Sequence, residues 1–540
     1  MSGSRMIRGT LILSAATFFT KFLGMLFVIP LYPIVGPDGG TLYGLAYTPY
    51  SIILSISTVG IPLAVSKFVA KYNALGDYYT GRRLFKSGLL LMTLTGIIGF
   101  LVMYGFAPVF ALGAPKELVQ PLTTVMRVTS FALILVPAMS LIRGYFQGFQ
   151  SMGPTAVSQT VEQIVRVVFG LAGAYVIMAT VKGTYHAKVS IAVSFVTFGA
   201  FMGALAGLIV LIRYWISRKS YIDKMVEEST TVQNIRLSSI YKEIIGYALP
   251  FVAVGLANQL YFLIDQGTVR HFLSLYFEMT KGQISDIISN LFTYDQKIIL
   301  IPVSLATALG LSVVPSITES YAEGRQQDMQ VKITQAFQFT IFITIPAAVG
   351  LSVLGYMVYG LLYGFENGLS AVISGGDLLQ WYAPTAIFFA GFSVTAAILQ
   401  GINHQKVTIL SLCVGVLIKL ILNPILLRLG VNGAILATDM GYLASILINL
   451  YAIGYSTRYR FTFIAKRLLL VCIFTLIMTV AVLIALSITG GFVPHTRLNA
   501  LIRSIMGVVV GGGIYFLLSL KSGLLKQVLG SRFRRLERFM

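Results

Sequence analysis

Apolar stretches of about 20 residues or more recur along the whole chain, separated by short polar connections. A helix rises about 1.5 Å per residue, so about 20 apolar residues cross the hydrocarbon of a bilayer. On that pattern the first six spans run 9–34, 41–70, 87–111, 120–149, 154–180 and 189–214. Six more run 243–269, 297–320, 333–363, 377–402, 406–428 and 432–456, and two follow at 468–488 and 499–520. The pattern predicts an all-α integral membrane protein with about 14 transmembrane helices. Met1-Ser2-Gly3-Ser4-Arg5 leads into the first span with no small-residue cleavage site, so that span is expected to be retained.

The connections divide the chain. Residues 218–242 are its most polar stretch, with Arg218-Lys219, Lys224 and Glu227-Glu228, and read as a cytoplasmic linker. Segment 270–296 reads as a second long, weakly amphipathic loop. The expected organisation is therefore a six-helix lobe (1–217), the linker (218–242), a second six-helix lobe (243–457), and two additional helices with a basic tail (458–540). The lobes look duplicated. Gln147-Gly148 ends the fourth span and Gln400-Gly401 the tenth; Arg166 and Lys419 each follow their Gln by 19 positions. Gly60-Ile61 with Ser66 in the second span matches Gly310-Leu311 with Ser316 in the eighth. Six spans per copy preserve orientation, so the repeat is parallel, a pseudo-two-fold about the membrane normal. Substrate sites of transporters lie at such repeat interfaces, here a central cavity.

Composition agrees with a bilayer as solvent. The 540 residues are 56% apolar and 11% charged, against about 25% charged in soluble chains, and the mean hydropathy is +0.83. The net charge of +21 would point to nucleic acid in a soluble protein. Here most of the 40 Lys and Arg fall in loops on one side if the N-terminus is inside, as in Arg82-Arg83, Arg458, Arg460, Lys466-Arg467 and the tail Arg532 to Arg535. Positive loops stay cytoplasmic. Both termini are thus expected in the cytoplasm, and the charge is topological, with no nucleic-acid partner. Cys413 and Cys472 lie in apolar helices and carry no disulfide or metal signal.

Charges inside the spans are the candidate chemistry, because each costs about 2.5–3.5 kcal/mol and needs water or a partner. The basic ones are Lys21, Lys67, Arg127, Arg166 and Lys419; the acids are Glu162, Asp265 and Asp439. Lys67 is one turn from an inner end and can snorkel. Lys21, Arg166 and Lys419 are deeper. Glu162 precedes Arg166 by four residues and could pair with it on one helix face. Lys21 and Lys419 have no acid at that spacing, which favours a water-filled cavity. The cavity set is Lys21, Arg127, Glu162, Arg166 and Lys419; its positive balance suits an anion, phosphate above all. Asp265, Asn423 and Asp439 form an oxygen-rich candidate cation site, or else a polar helix–helix network. No nucleotide-binding motif, metalloprotease motif or nucleophile elbow occurs, and no enzyme is expected.

Two segments carry a family resemblance. Arg143-Gly144-Tyr145-Phe146-Gln147-Gly148 through Pro154-Thr155-Ala156 to Val161-Glu162-Gln163-Ile164-Val165-Arg166-Val167 is one; Gly60-Ile61-Pro62-Leu63-Ala64-Val65-Ser66-Lys67 into Lys71-Tyr72-Asn73-Ala74-Leu75-Gly76-Asp77 is the other. They resemble the polysaccharide and lipid-linked precursor flippases of the MOP exporter superfamily, in the YtgP and SpoVB group related to lipid II flippases. The resemblance implies alternating access in a bacterial cell membrane: an undecaprenyl-pyrophosphate-linked cell-wall precursor, most naturally lipid II, crosses from inner to outer leaflet with its pyrophosphate in the cationic cavity. Lys21 in Thr20-Lys21-Phe22-Leu23-Gly24 matches the first basic position of the lipid II flippase motif, and Phe27 stands where a second Arg would be. Asp265 matches the seventh-span Asp of sodium-linked relatives. No cofactor is implied beyond a coupling Na+ or H+. The implied partners are the lipid-linked oligosaccharide, the bilayer and cell-wall synthesis proteins. Two other classes fit the residues: a cation-coupled drug exporter of the same superfamily, which would use Asp265 and Asp439, and a non-transporting envelope scaffold.

Overall fold

The computed structural model describes residues 16–525, except 18, 21, 25, 59–60, 113, 115, 150, 230–237, 239–251, 253–255, 312–313 and 366–367. Among these residues the regular structure is helical. Two compact units divide the chain, Met1–Gly267 and Thr268–Met540. The division falls inside a helix, beyond the polar stretch 218–242.

The first unit contains α1 (Val28–Thr58), α2 (Ile61–Ala74), α3 (Tyr78–Ala111), α4 (Lys116–Ser130), α5 (Ala132–Gly148), α6 (Gly153–Thr180) and α7 (Tyr185–Glu227). Gly36, at φ 63°, breaks α1 between the first two expected spans. An L side chain strains there, whereas glycine does not. Helix α6 lies along α7, and the reason is a stripe of small residues on α7. A Cβ on Gly199 would meet Arg166 O at 2.7 Å, and one on Gly203 would meet Glu162 O at 2.5 Å. Gly207 faces Ser158 O and the Cβ of Glu162 in the same way. Small residues at this spacing let helix backbones touch, which supplies packing where lipid is as apolar as the protein. The first ten residues of 218–242 continue α7 as helix to Glu227, with Asp223 paired to Arg82 at 2.5 Å.

Helix α8 (Ala257–Tyr276) crosses the division. The second unit continues with α9 (Lys281–Ser289), a π-helical turn (Asn290–Tyr294), α10 (Asp295–Leu311), α11 (Val314–Ala322), α12 (Gln326–Val353) and α13 (Gly355–Tyr363). Then come α14 (Leu369–Tyr382), α15 (Thr385–Gly401), α16 (Gln405–Leu426), α17 (Val431–Thr457), α18 (Thr462–Ile488) and α19 (Arg497–Lys521). Residues 270–296, expected as a loop, are mostly helix. Thr280 and Gln283 form a reciprocal capping box that starts α9, a signal present in the sequence and outweighed there by weak amphipathicity. Helices α16 and α17 form a close hairpin, with Ser445 Oγ donating to Ser411 O at 2.8 Å. The last pair, α18 and α19, packs on α12 and α13. Arg503, at 6% exposure, donates to Thr489 O, at the C-cap of α18, and to Gly491 O just beyond it.

Eleven helices among the described residues are long and apolar enough to cross a bilayer. One of them, Phe22–Thr58, stands where the first two spans were expected, the second ending in the shorter α2, and ten match the third to sixth and ninth to fourteenth; the seventh lies partly outside the described residues and the eighth falls on the shorter α10 and α11. The two units share local geometry. Ser151 N donates to Phe146 O after α5, and His404 N to Leu399 O after α15. Gly148 packs on Ser66 and Val69 of α2, and Gly401 on Val314 and Thr318 of α11.

Candidate functional site

Two charged groups of the first unit, Arg143 and Glu162, meet where α5 and α6 face each other beside α7. Arg143 of α5 donates to Glu162 Oε2 at 2.7 Å and to Ser158 Oγ at 2.6 Å. Ser158 in turn donates to Gly207 O at 3.1 Å. Thus Glu162 pairs across helices with Arg143 and not along its own helix with Arg166. The glycine stripe of α7 holds α6 against α7, where Ser158 bonds Gly207 O and turns toward the guanidinium with Glu162.

Arg166, freed from Glu162, lies over the Tyr47 ring at 5.7 Å from the centroid. Tyr43 and Tyr50 are also within its electrostatic reach. Positions 43, 47 and 50 share one face of α1, where Tyr43 stacks on Tyr47 at 5.5 Å and Tyr47 tilts against Tyr50 at 5.5 Å. Phe27 packs on Tyr43 at 5.9 Å, extending this aromatic face toward the chain start. Among the described residues Arg166 has no carboxylate partner within ion-pair distance. A half-buried guanidinium framed by neutral phenols keeps its full charge and can offer paired N–H donors to an oxyanion. Lys21 lies outside the described residues. The residues around it run beside α6: Thr17 Oγ1 donates to Gln159 Oε1 at 3.4 Å, and Gly24 packs against the Gln163 amide. Arg127 is exposed on α4, where its guanidinium covers Tyr104 of α3 at 5.2 Å.

In the second unit Lys419 is 0% exposed, and its ammonium donates to Thr438 Oγ1 across the α16–α17 hairpin. Its setting is a buried helix–helix contact, whereas the lack of neighbouring acids suggested a cavity. Asp439 lies beside Thr385 and within electrostatic reach of Lys419. Asn423 is fully buried and donates from Nδ2 to Thr268 Oγ1 at 2.6 Å. Thr268 stands three residues after Asp265, itself buried on α8. The structure therefore joins Lys419 with Asp439, and Asn423 with Thr268. Among the described residues no three His, Cys, Asp or Glu gather as a metal-holding group.

Three further features take part in the site. Arg143 lies inside the fourth span, where its charge alone marks it. The tyrosine face of α1 was legible as Tyr43, Tyr47 and Tyr50 at i, i+4 and i+7. The stripe Gly199-x-x-x-Gly203-x-x-x-Gly207 was also legible.

Comparison with known proteins places this arrangement. Residues 6–321 match the family described as polysaccharide biosynthesis protein. The lipid II flippase MurJ of Bacillus subtilis (strain 168) is 41% identical over 539 residues, 98% of this chain and 97% of that protein. A solved structure described as lipid II flippase MurJ in an inward closed conformation superposes with a TM-score of 0.66 at 16% identity, covering 96% of this chain and 99% of that one. An inward-facing multidrug resistance MATE transporter of the MOP superfamily superposes at 0.64 with 15% identity, over 81% of this chain and 93% of that one. At those identities the superpositions speak to fold, and the fold is that of MOP transporters. With its family match over more than half its length and a near-full-length relative above 40% identity, the chain belongs to the polysaccharide biosynthesis protein family.

Proposed function

We propose that this protein flips an anionic, undecaprenyl-pyrophosphate-linked cell-wall precursor, lipid II by preference, from the inner to the outer leaflet. The observation that carries the reading is Arg166. A guanidinium deep in an apolar helix, without a carboxylate partner among the described residues and framed by phenols, is costly unless an anion repays it. The full-length likeness to a lipid II flippase supports the choice of cargo. In this reading Arg166 and Lys21 hold the pyrophosphate, and Arg127 and Lys419 complete the positive lining of a central cavity. The protein works by alternating access, with its two repeats rocking about the site and both termini in the cytoplasm. Asp265, Asn423 and Asp439 are the proposed group for a coupling cation, Na+ or H+. The protein acts as a transporter and performs no bond chemistry of its own.

The test is lipid II accessibility at the outer leaflet. The protein is depleted in its own host with redundant flippases removed, and outward lipid II is labelled with an impermeant reagent. Wild type is expected to restore labelling, and the triple variant Lys21→Ala, Arg166→Ala, Lys419→Ala is expected to fail while still reaching the membrane. Unchanged labelling on depletion would refute the cargo and favour the drug-exporter reading.

A further inference from the structure

One carboxyl group stands outside all the chemistry above. Where the second unit begins α10, residues Asn290–Tyr294 leave α-helical pairing for a π-helical turn, and the Asp295 N–H closes it on Asn290 O. Such turns recur at functional sites because they displace one side chain from the regular helical track. Asp295 is 0% exposed, and neither Oδ1 nor Oδ2 has a hydrogen-bond partner among the described residues. Leu291, Phe292, Ile298 and Ile299 are buried around the same turn.

The polar groups at the turn are committed elsewhere. Tyr359 OH donates to Asn290 Oδ1 at 2.9 Å, and Tyr363 OH donates to Tyr294 O at 2.9 Å. The titratable groups on the elements packed here are few. They are Asp286 and Lys281 of α9, Tyr294 and Lys297 beside Asp295, Tyr356, Tyr359 and Tyr363 of α13, Asp377 and Tyr382 of α14, and Asp328 and Lys332 of α12. Asp328 pairs with Lys332, and Asp377 accepts from Tyr356. No described group among these hydrogen-bonds the Asp295 carboxyl.

A carboxylate ion in that position would be buried without donor or counter-charge, which is far costlier than hiding the neutral acid. A metal cation would need several converging oxygens, and the nearby Asn290 and Tyr294 oxygens already accept hydrogen bonds. We infer that Asp295 is a proton-binding site, loaded in this conformation and discharged when the π-turn opens to water. Its ligand is a proton, and it is separate from the Asp265, Asn423 and Asp439 group. That this proton is used in transport rests on the flippase reading; that it is bound does not.

The experiment is infrared spectroscopy of the full-length protein in lipid nanodiscs, as the difference between wild type and Asp295→Asn. The expected result is loss of one protonated-carboxyl C=O band at neutral pH, unaffected by Na+, with thermal stability retained because the amide is neutral and of the same shape. No band difference, or a carboxylate band that moves with Na+, overturns the proposal. Should Asp295→Asn fail to fold, Asp295→Glu must shift the same band; an unshifted band overturns the assignment. In reconstituted vesicles the flipping rate of Asp295→Asn is expected to lose its dependence on pH. An unchanged pH profile with the band lost would keep the proton site and reject its coupling role, and a lost band with no flipping by wild type would count against the flippase reading alone.

Discussion

Arg143 and Arg166 are both arginines inside spans, and their surroundings give them opposite tasks. Arg143 is matched by Glu162 and Ser158. Breaking one side of a buried pair leaves an uncompensated charge, which costs about 3–5 kcal/mol when fully buried. Glu162 keeps 21% of its side-chain surface exposed, so Glu162→Gln is expected to cost about 2 kcal/mol, read as a lowered unfolding midpoint in detergent. Arg143→Met with Glu162→Met should recover most of that loss; a double variant as unstable as the single one would show that the pair is not the source. Arg166 has only phenols. Arg166→Ala is expected to leave stability nearly unchanged and to weaken flipping about ten- to a hundredfold, the equivalent of one or two charge-assisted hydrogen bonds. Arg166→Lys, which keeps charge and loses the planar fork, should fall between them. Equal activity of the three forms in a flipping assay would remove Arg166 from the site.

At the scale of elements, backbone contact decides the site. Gly203 lies where a Cβ would fall 2.5 Å from Glu162 O. Gly203→Val must therefore push α6 from α7, at about 1–3 kcal/mol, and move Glu162 away from Arg143. The expected outcome is a lowered midpoint together with loss of the Arg143–Glu162 coupling in a double-mutant cycle. Gly512, with open space around its Cβ position, is the control: Gly512→Ala in α19 should be neutral or slightly stabilising. Arg503 shows the same logic at a helix end. Its guanidinium caps the carbonyls of Thr489 and Gly491, so Arg503→Leu is expected to fray α18 at about 1–3 kcal/mol, measurable as faster amide exchange near residue 489. These elements were legible to different degrees. The long apolar runs that became α3, α6 and α17 were plain. The capping box at Thr280 was present but lay in a stretch too weakly patterned to read as helix. Gly36 broke α1 where a connection was expected, since Pro37 and the following glycines signal a turn.

At the scale of the whole molecule, charge sorting makes a directional statement. Loops rich in Lys and Arg stay on the cytoplasmic side. In a Cys413→Ser, Cys472→Ser background, a cysteine placed beside Arg458 is expected to react with an impermeant thiol reagent only after permeabilisation. One placed at Gly183 should react in intact cells. The reverse pattern would invert the orientation. The duplication operates at this scale too, with matched turns after α5 and α15 and matched glycine contacts at Gly148 and Gly401.

Hydrophobic period and run length by themselves determined that this chain is helical and spans a membrane many times. Those properties are set by the solvent each residue must meet, and that is written locally. The same local information marked Arg166, Lys419 and Asp265 as costly, since the penalty for charge in an apolar helix needs no neighbour to be known. Which partner repays each charge was decided only by the tertiary structure. Glu162 sits four residues from Arg166 yet bonds Arg143 of another helix. Lys419 meets Thr438 across a helix hairpin, and Asp295 is left without a hydrogen-bond partner among the described residues. Pairing depends on distances between helices far apart in sequence, and no period along one helix encodes those.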